Sequence, residues 1–396
     1  MSPLTLPEYQ PLRIPRAELR DEWGMKLYRQ YAPQIQAEPP SLADDAWNLT
    51  NLGWAGYIPL GQGTGLFLQP KVPLANLFGM MGYAYRLGEF LDAGVYQSAS
   101  VGEFYEQLAY ILARRVLARA RQGLYREYVP KTETLPYIRG RLVLQPSSVF
   151  RLPSSVLCHF HEHTANIEDN QILAWTLHTI ARSGLLTPRV APTVRAAYRA
   201  ISTTLNASLA GAGTLNPVAV GTLSGRSYTR LNPDYRGLHA LCRFFLDHVG
   251  PQHQAGDQAM IPFLVEMARL FEQFVAEWLR GHLPEGMSLR VQERVALGEA
   301  GDLHARVDLV LYDETGRASM VLDTKYKTPD HPAPEEVFQV AGYADLKGCG
   351  DAFLVYPVPL KRPLDVRVGD VRVRSAVFPL EGDLEQAGRH FLAIFV

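Results

Sequence analysis

The period of the apolar positions changes along the chain, and the changes divide it. The first ninety or so residues set short apolar runs such as GYIPL and GLFLQPKV among Gly, Pro and aromatic residues, which predicts strands and turns. Over 73–91 the spacing becomes helical, with Leu77, Met80, Met81 and Tyr85 in step. A second helix is predicted over 102–122, its apolar side formed by Leu108, Ile111, Leu112 and Val116. The stretches YIRGRLVLQP and SSVLCHFHEH then alternate as strands do. Helical spacing returns over 169–183, 189–207 and 235–248, and the polar, Gly-rich stretch 210–224 reads as a loop.

Beyond the polar, turn-rich residues 251–257 the order becomes helix, strand, strand, helix, strand. The first helix is predicted over 262–283, where Phe263, Met267, Leu270, Phe271, Phe274 and Trp278 form a broad stripe. Two strands, LHARVDLVLY and ASMVLDTKYK, flank the turn DETG; a helix over 335–346 and the strand AFLVYPV follow. This is the order of a mixed sheet flanked by helices, so the fold class is α/β in the mixed α+β sense. The predicted division is a β-rich part over 1–95, a helical and strand region over 96–250 and a C-terminal domain over 251–396.

Composition narrows the picture. A chain of 396 residues, 47 % hydrophobic, buries a substantial core. The formal net charge is −1, so nucleic acid, if bound, is held through local patches or through a partner. The three cysteines, Cys158, Cys242 and Cys349, form no CxxC pair, which argues against a disulfide framework and fits a reducing cytoplasm. The first residues lack a signal-peptide pattern, and no stretch reaches the ~18–20 apolar residues of a membrane span.

The predicted hairpin carries the chemistry. Closed symmetrically by DETG, it pairs Tyr312 with Arg317 and sets Asp308 across from Val321, with Asp323 a diagonal step of roughly 7–8 Å away on the same face. Lys325, two residues on, shares that face, while Val307, Leu309, Leu322 and Tyr326 point towards a core. A lone DxK on a strand is ordinarily a solvent-facing ion pair. Two acids amid apolar strand residues are costly unless something compensates them. Mg²⁺ is bound through one or two carboxylates, waters and substrate phosphate, and it stabilises charge growing on a phosphorus centre. Asp308 and Asp323 are thus candidate ligands, and Lys325 is a candidate for positioning or activating a water. Gln339 and Tyr343 share a face of the next helix, and Glu272 sits beside the apolar stripe of the preceding one.

Two weaker signals lie elsewhere. His159, His161 and His163 alternate in CHFHEH and share a strand face, which reads as solvated or as an interface, since neighbours at this spacing rarely converge on one ion. Arg114, Arg115, Arg119, Arg121 and Arg126, with the RGR at 139–141, read either as a solvated face or as a surface for phosphate or an acidic partner.

Together Glu272, Asp308, DTK at 323–325 and QVAGY at 339–343 resemble the PD-(D/E)xK nuclease pattern in its RecB-like form, with Val307 where that pattern has proline. MARLFEQFV, VLDTKYK and the FQVAGYA helix, and upstream QPKVPLANLFGMMGYA, GLYREYVPKTETLPYIRGRL, NIEDNQILAWTL and YTRLNPDY, resemble the McrC family in order. The resemblance implies a DNA endonuclease subunit of a McrBC-like, modification-dependent restriction system. It implies Mg²⁺ or Mn²⁺ held by Asp308, Asp323, Glu272 and Thr324, with Lys325, Gln339 and Tyr343 in the catalytic set. It also implies an AAA+ GTPase partner, McrB, docked on the N-terminal portion, and double-stranded DNA as substrate. The chain lacks GxxxxGK[ST]; GQGTG at 61–65 has no phosphate-binding lysine and reads as a turn between strands. The alternatives are a non-catalytic scaffold of the same ring and a nuclease serving a repair helicase.

Overall fold

The computed structural model describes residues 4–41, 44–61, 64–90, 98–143, 155–205, 227–250, 253–255, 258–297, 303–327 and 330–395. The chain forms two compact units, one from Met1–Tyr105 with His248–Val396 and one from Glu106–Asp247. The ends expected to stand apart as 1–95 and 251–396 therefore share a unit.

The N-terminal elements are β1 (Leu4–Pro7), β2 (Pro11–Pro15), α1 (Asp21–Gln30), β3 (Ile35–Glu38), β4 (Ala46–Asn51), β5 (Trp54–Gly61), β6 (Thr64–Gln69) and α2 (Leu74–Ala84). Strands β2, β4 and β3 form an antiparallel sheet in that order. Helix α1 lays Trp23, Gly24 and Leu27 into the core. Gly24 is required there, because a Cβ would stand 2.1 Å from the Trp47 ring. Gly61 pairs with Thr64 across antiparallel β5 and β6, and residues 62 and 63 of GQGTG lie outside the described residues.

Helix α3 (Val101–Gln122) runs across the boundary between the units. The second unit continues with β7 (Glu127–Leu135), β8 (Arg141–Leu142), β9 (Val156–Thr164), α4 (Glu168–Ala181), α5 (Ala191–Thr204) and α6 (Tyr235–Asp247). Strand β9 lies between β7 and β8, antiparallel to both. The buried Asn170 of α4 donates to the carbonyls of Tyr125 (2.8 Å) and Ala165 (2.7 Å) and accepts from the Tyr235 hydroxyl (2.5 Å). The loop read over 210–224 lies outside the described residues.

The C-terminal part comprises β10 (His253–Ala255), β11 (Gln258–Met260), β12 (Phe263–Glu266), α7 (Met267–His282), β13 (Ser288–Leu297), β14 (Leu303–Tyr312), β15 (Ala318–Thr324), α8 (Pro334–Lys347), β16 (Asp351–Tyr356), β17 (Asp365–Val368), β18 (Val371–Val377) and α9 (Leu384–Leu392). The order β13-β14-β15-β16-β18-β17 makes a mixed sheet, antiparallel from β13 to β15 and parallel across β15, β16 and β18. Helix α8 is the crossover from β15 to β16, and Val340, Ala341 and Ala344 pack it onto Val310, Val321, Leu354 and Val373.

Two expectations are corrected. The helix expected over 262–283 begins only at Met267, because residues 263–266 form β12 and pair antiparallel with β5. Phe263, Leu264 and Val265 are all buried, and an apolar run buried on every side carries no period to separate helix from strand. Strand β12 closes the sheet β1-β6-β5-β12, and its Leu264 joins the core of Trp23, Trp47, Ile58 and Leu66. That pairing, with the Asn76 to Gly382 and Tyr326 to Glu8 hydrogen bonds, ties the two ends of the chain into one unit. Helix α1 stands where strands and turns were expected, and β13, β17, β18 and α9 were not anticipated. Among the described residues no helix is long and apolar enough to cross a membrane.

Candidate active site

Strands β14 and β15 bring the acids together in a register the turn alone does not give. Tyr312 pairs with Ala318 rather than Arg317, and a bulge follows, after which Leu311 pairs with Met320, Val310 with Val321 and Leu309 with Leu322. The Oγ of Ser319, the residue left over at the bulge, donates to the Leu311 carbonyl at 3.1 Å. One step further in this register Asp308 falls opposite Asp323, not diagonal to it. The acids are therefore closer than a symmetric hairpin predicts. The Thr324 backbone N–H donates to Asp308 Oδ2 at 3.3 Å, and Lys325 Nζ lies 2.6 Å from Asp323 Oδ2. Asp323 is only 4 % exposed. Val307, Leu309 and Leu322 are buried as expected, whereas Tyr326 is half-buried and donates to Glu8.

A third strand completes the site. Val291 pairs with Leu309 and Glu293 with Val307, which sets Gln292 of β13 opposite Asp308. Gln292 adopts φ +53°, a left-handed conformation that non-glycine residues seldom take and that recurs at functional sites. Its Nε2 donates to Asp308 Oδ1 at 3.1 Å and also to Glu272 Oε1 on α7. Gln292 thus ties the helix acid to the strand acid. Sequence reasoning missed it because β13 itself was missed.

Burial dominates the electrostatics. Loss of solvation, reinforced by Asp308, pushes Glu272 up to about 7 even though Gln292 donates to it. Burial likewise raises Asp323 to about 6 against the opposing pull of Lys325, and it raises Asp308 despite the Thr324 N–H. Burial works to lower Lys325, but attraction to Asp323 outweighs it and raises the ammonium, which stays protonated.

Of the remaining candidates, Gln339 Nε2 donates to the Tyr343 hydroxyl at 2.8 Å. Their helix also contributes Glu336, which couples electrostatically to Asp323 and Lys325 and pairs with Lys327 at 2.7 Å. Arg306 is exposed and favours the charged forms of Glu272 and Asp308.

The cluster fits a hard divalent cation in its donor set. Asp323 Oδ2 is buried and is met by the Lys325 ammonium at 2.6 Å. Asp308 supplies carboxylate oxygen from the facing strand, and two carboxylates are the protein share that Mg²⁺ ordinarily takes. Among the described residues no three His, Cys, Asp or Glu side chains are gathered tightly enough to hold an ion by themselves. In the acid cluster the Gln292 amide stands between Glu272 and Asp308.

The histidine row in the second unit spreads out. His159 meets Thr132 Oγ1 at 2.9 Å, its ring lies 6.1 Å from that of His161, and His163 stacks on Tyr128 at 4.8 Å. His161 and His163 are exposed, as expected of a solvated face. In the arginine cluster, Arg119 pairs with Asp234 at 3.5 Å and lies over the Tyr235 ring, and Arg139 lies over Phe160 at 4.1 Å.

Comparison with known proteins agrees with this architecture. The chain is 23 % identical over 269 residues to the type IV methyl-directed restriction enzyme EcoKMcrBC of Escherichia coli (strain K12), a match covering 65 % of this chain and 74 % of that protein. Its fold matches a chain of the Thermococcus gammatolerans assembly of McrB AAA+ hexamers with bound McrC, with a TM-score of 0.55, 16 % identity and full coverage of both chains. The model of the McrBC 5-methylcytosine restriction system component family matches residues 49–357, most of the chain, and the protein belongs to that family.

Proposed function

We propose that this chain is the DNA-cutting subunit of its restriction system, a PD-(D/E)xK nuclease acting in the cytoplasm on double-stranded DNA with Mg²⁺ or Mn²⁺. The observation that carries the reading is the facing of Asp308 and Asp323 across β14 and β15, with Lys325 2.6 Å from the latter. Asp308 and Asp323 would hold the cation, with Glu272 and Thr324 as further donors. Bound there, it would supply Lewis acidity and neutralise charge on the scissile phosphate. Lys325 keeps its proton, so its ammonium orients water and offsets negative charge rather than acting as a base. Gln339 and Tyr343 would steady the strand from α8.

The partner follows from the relative: in the Thermococcus assembly McrC is bound to McrB AAA+ hexamers. This chain would dock on such a GTPase ring through its N-terminal portion, the ring supplying DNA movement and recognition of the modified base. The test is cleavage of methylated and unmethylated DNA by the co-purified complex with nucleotide and Mg²⁺. Asp323→Asn should lower cutting by at least ~10²-fold, the scale of losing a charge-stabilising group, while stimulation of the partner's nucleotide hydrolysis persists. Cutting at the wild-type rate by Asp323→Asn would leave only a scaffold.

A further inference from the structure

One rung of the β13–β14 ladder sets two like charges against each other. Arg294 pairs directly with Arg306 across the antiparallel strands. Side chains directly opposite share a face, with about 4.5–5.5 Å between their Cβ atoms, and like charges so placed repel. Both arginines are exposed, and among the described residues neither forms an ion pair.

This rung adjoins the acid cluster. Arg306 precedes Asp308 by two residues on β14, and Arg294 follows Gln292 by two on β13, so each lies about 7 Å along its strand from a residue of the site. Strand alternation turns Arg306 to the same face as Asp308, and Arg294 with it. From there Arg306 favours the charged forms of Glu272 and Asp308, yet burial still holds both above the ordinary carboxylate range. The acid next to Arg294 in the chain is engaged elsewhere. Glu293 pairs with Val307 on the other face and accepts from Lys347 (2.9 Å), Arg290 (3.2 Å) and the Tyr312 hydroxyl (2.7 Å).

Two guanidiniums on one rung repel each other until an anion stands between them, and their planar N–H forks match the oxygens of a phosphate. A DNA strand advances about 3.4 Å per nucleotide, so a phosphate one or two nucleotides from the one at the acids comes level with the arginine rung. We propose that Arg294 and Arg306 together clamp one backbone phosphate of the DNA strand that is cut at the acid cluster. The clamp sets how far the strand enters, and so which phosphate meets Asp308 and Asp323. It touches no base edge, so it contributes equally to methylated and unmethylated DNA. This assignment rests on the nuclease reading, since it takes the strand being cut as the source of the phosphate.

The test is equilibrium binding of short methylated and unmethylated DNA duplexes to the full chain in EDTA, read by fluorescence anisotropy from ~50 to ~200 mM salt. The double variant Arg294→Gln/Arg306→Gln should weaken both duplexes about tenfold. Because one phosphate is shared, its slope of log affinity against log salt should flatten by about one rather than two. The losses in the two single variants should sum to more than the loss in the double, since each already breaks the shared contact. Arg306→Lys keeps the charge without the fork, so it should hold the slope and recover only part of the affinity. Wild-type affinity and slope in the double variant, additive single losses, or a wild type that binds neither duplex overturns the proposal. GTP offers the same oxygens: GTP binding lost in the double variant with duplex binding unchanged overturns it as well. The nuclease reading is tested separately by Asp323→Asn. Lost cutting there, with duplex binding unaltered in the double arginine variant, sinks the clamp alone. Wild-type cutting there, with duplex binding weakened in the arginine variant, sinks the nuclease alone.

Discussion

Asp308, Asp323 and Lys325 in one unit, and His159, His161 and His163 in the other, are both sets of chemically able residues on strands, yet only the first gathers. The histidines follow one another along a single strand, and their rings stay as far apart as the pleat sets them, 6.1 Å between the first two. They face solvent or a neighbouring aromatic, so nothing opposes their hydration. The acids come from facing strands, with a helix acid drawn in by Gln292, and burial raises all three of Glu272, Asp308 and Asp323. Spacing along one strand offers ligands; only opposition between elements brings them to one point, and only burial makes their charges demand compensation.

Substitutions can break or sharpen this contrast. The largest effect is expected at the acids: Asp308→Ala should remove more than ~10² of the cleavage rate. Gln292→Leu, which keeps the strand and deletes the amide linking Glu272 to Asp308, should cost about 10–100-fold, the range for groups that orient ligands. A strand left intact in Gln292→Leu with unchanged cutting would reduce the glutamine to packing.

Next in size is a pH effect on the metal-free protein. The folded values of Glu272 and Asp323, about 7 and about 6, lie above their ordinary 4.5 and 3.8, so the native state binds more protons through that window. Stability should therefore fall as pH rises from about 4 to about 7. The fall should be shallower in Asp323→Asn. Mg²⁺ added above that window should raise the thermal midpoint of the wild type, and less so of Asp323→Asn. A midpoint equally insensitive to Mg²⁺ in both proteins would break the metal assignment. The smallest effect belongs to the histidines: changing His159, His161 and His163 to alanine together should leave cleavage within about twofold and stability within roughly 0.5 kcal/mol per site.

Much of this was legible in the sequence where one pattern held over many residues. The helices at 101–122, 168–181 and 334–347 and the strands at 303–312 and 318–324 carry clear periods, and each was anticipated to within a few residues. The acids and lysine were legible because charge on an apolar strand stands out. The helix expected from 262 failed at its start, since Phe263, Leu264 and Val265 are buried all round. Glu336 and Gln292 were illegible because polar residues on exposed-looking segments carry no local sign of what they will meet.

Sequence by itself determined the chemical inventory: two aspartates and a lysine on adjacent strands, a glutamate on the helix before them, and the family pattern they spell. Tertiary structure decided the rest. A bulge at Ser319, set by how β14 and β15 settle against their neighbours, moved Asp308 from a diagonal to a facing position relative to Asp323. The long-range pairing of β12 with β5, with contacts such as Asn76 to Gly382 and Tyr326 to Glu8, joined the two ends of the chain into the unit that holds the acid cluster. Register and distant strand pairing depend on the summed packing of the whole sheet, which no local window of residues contains.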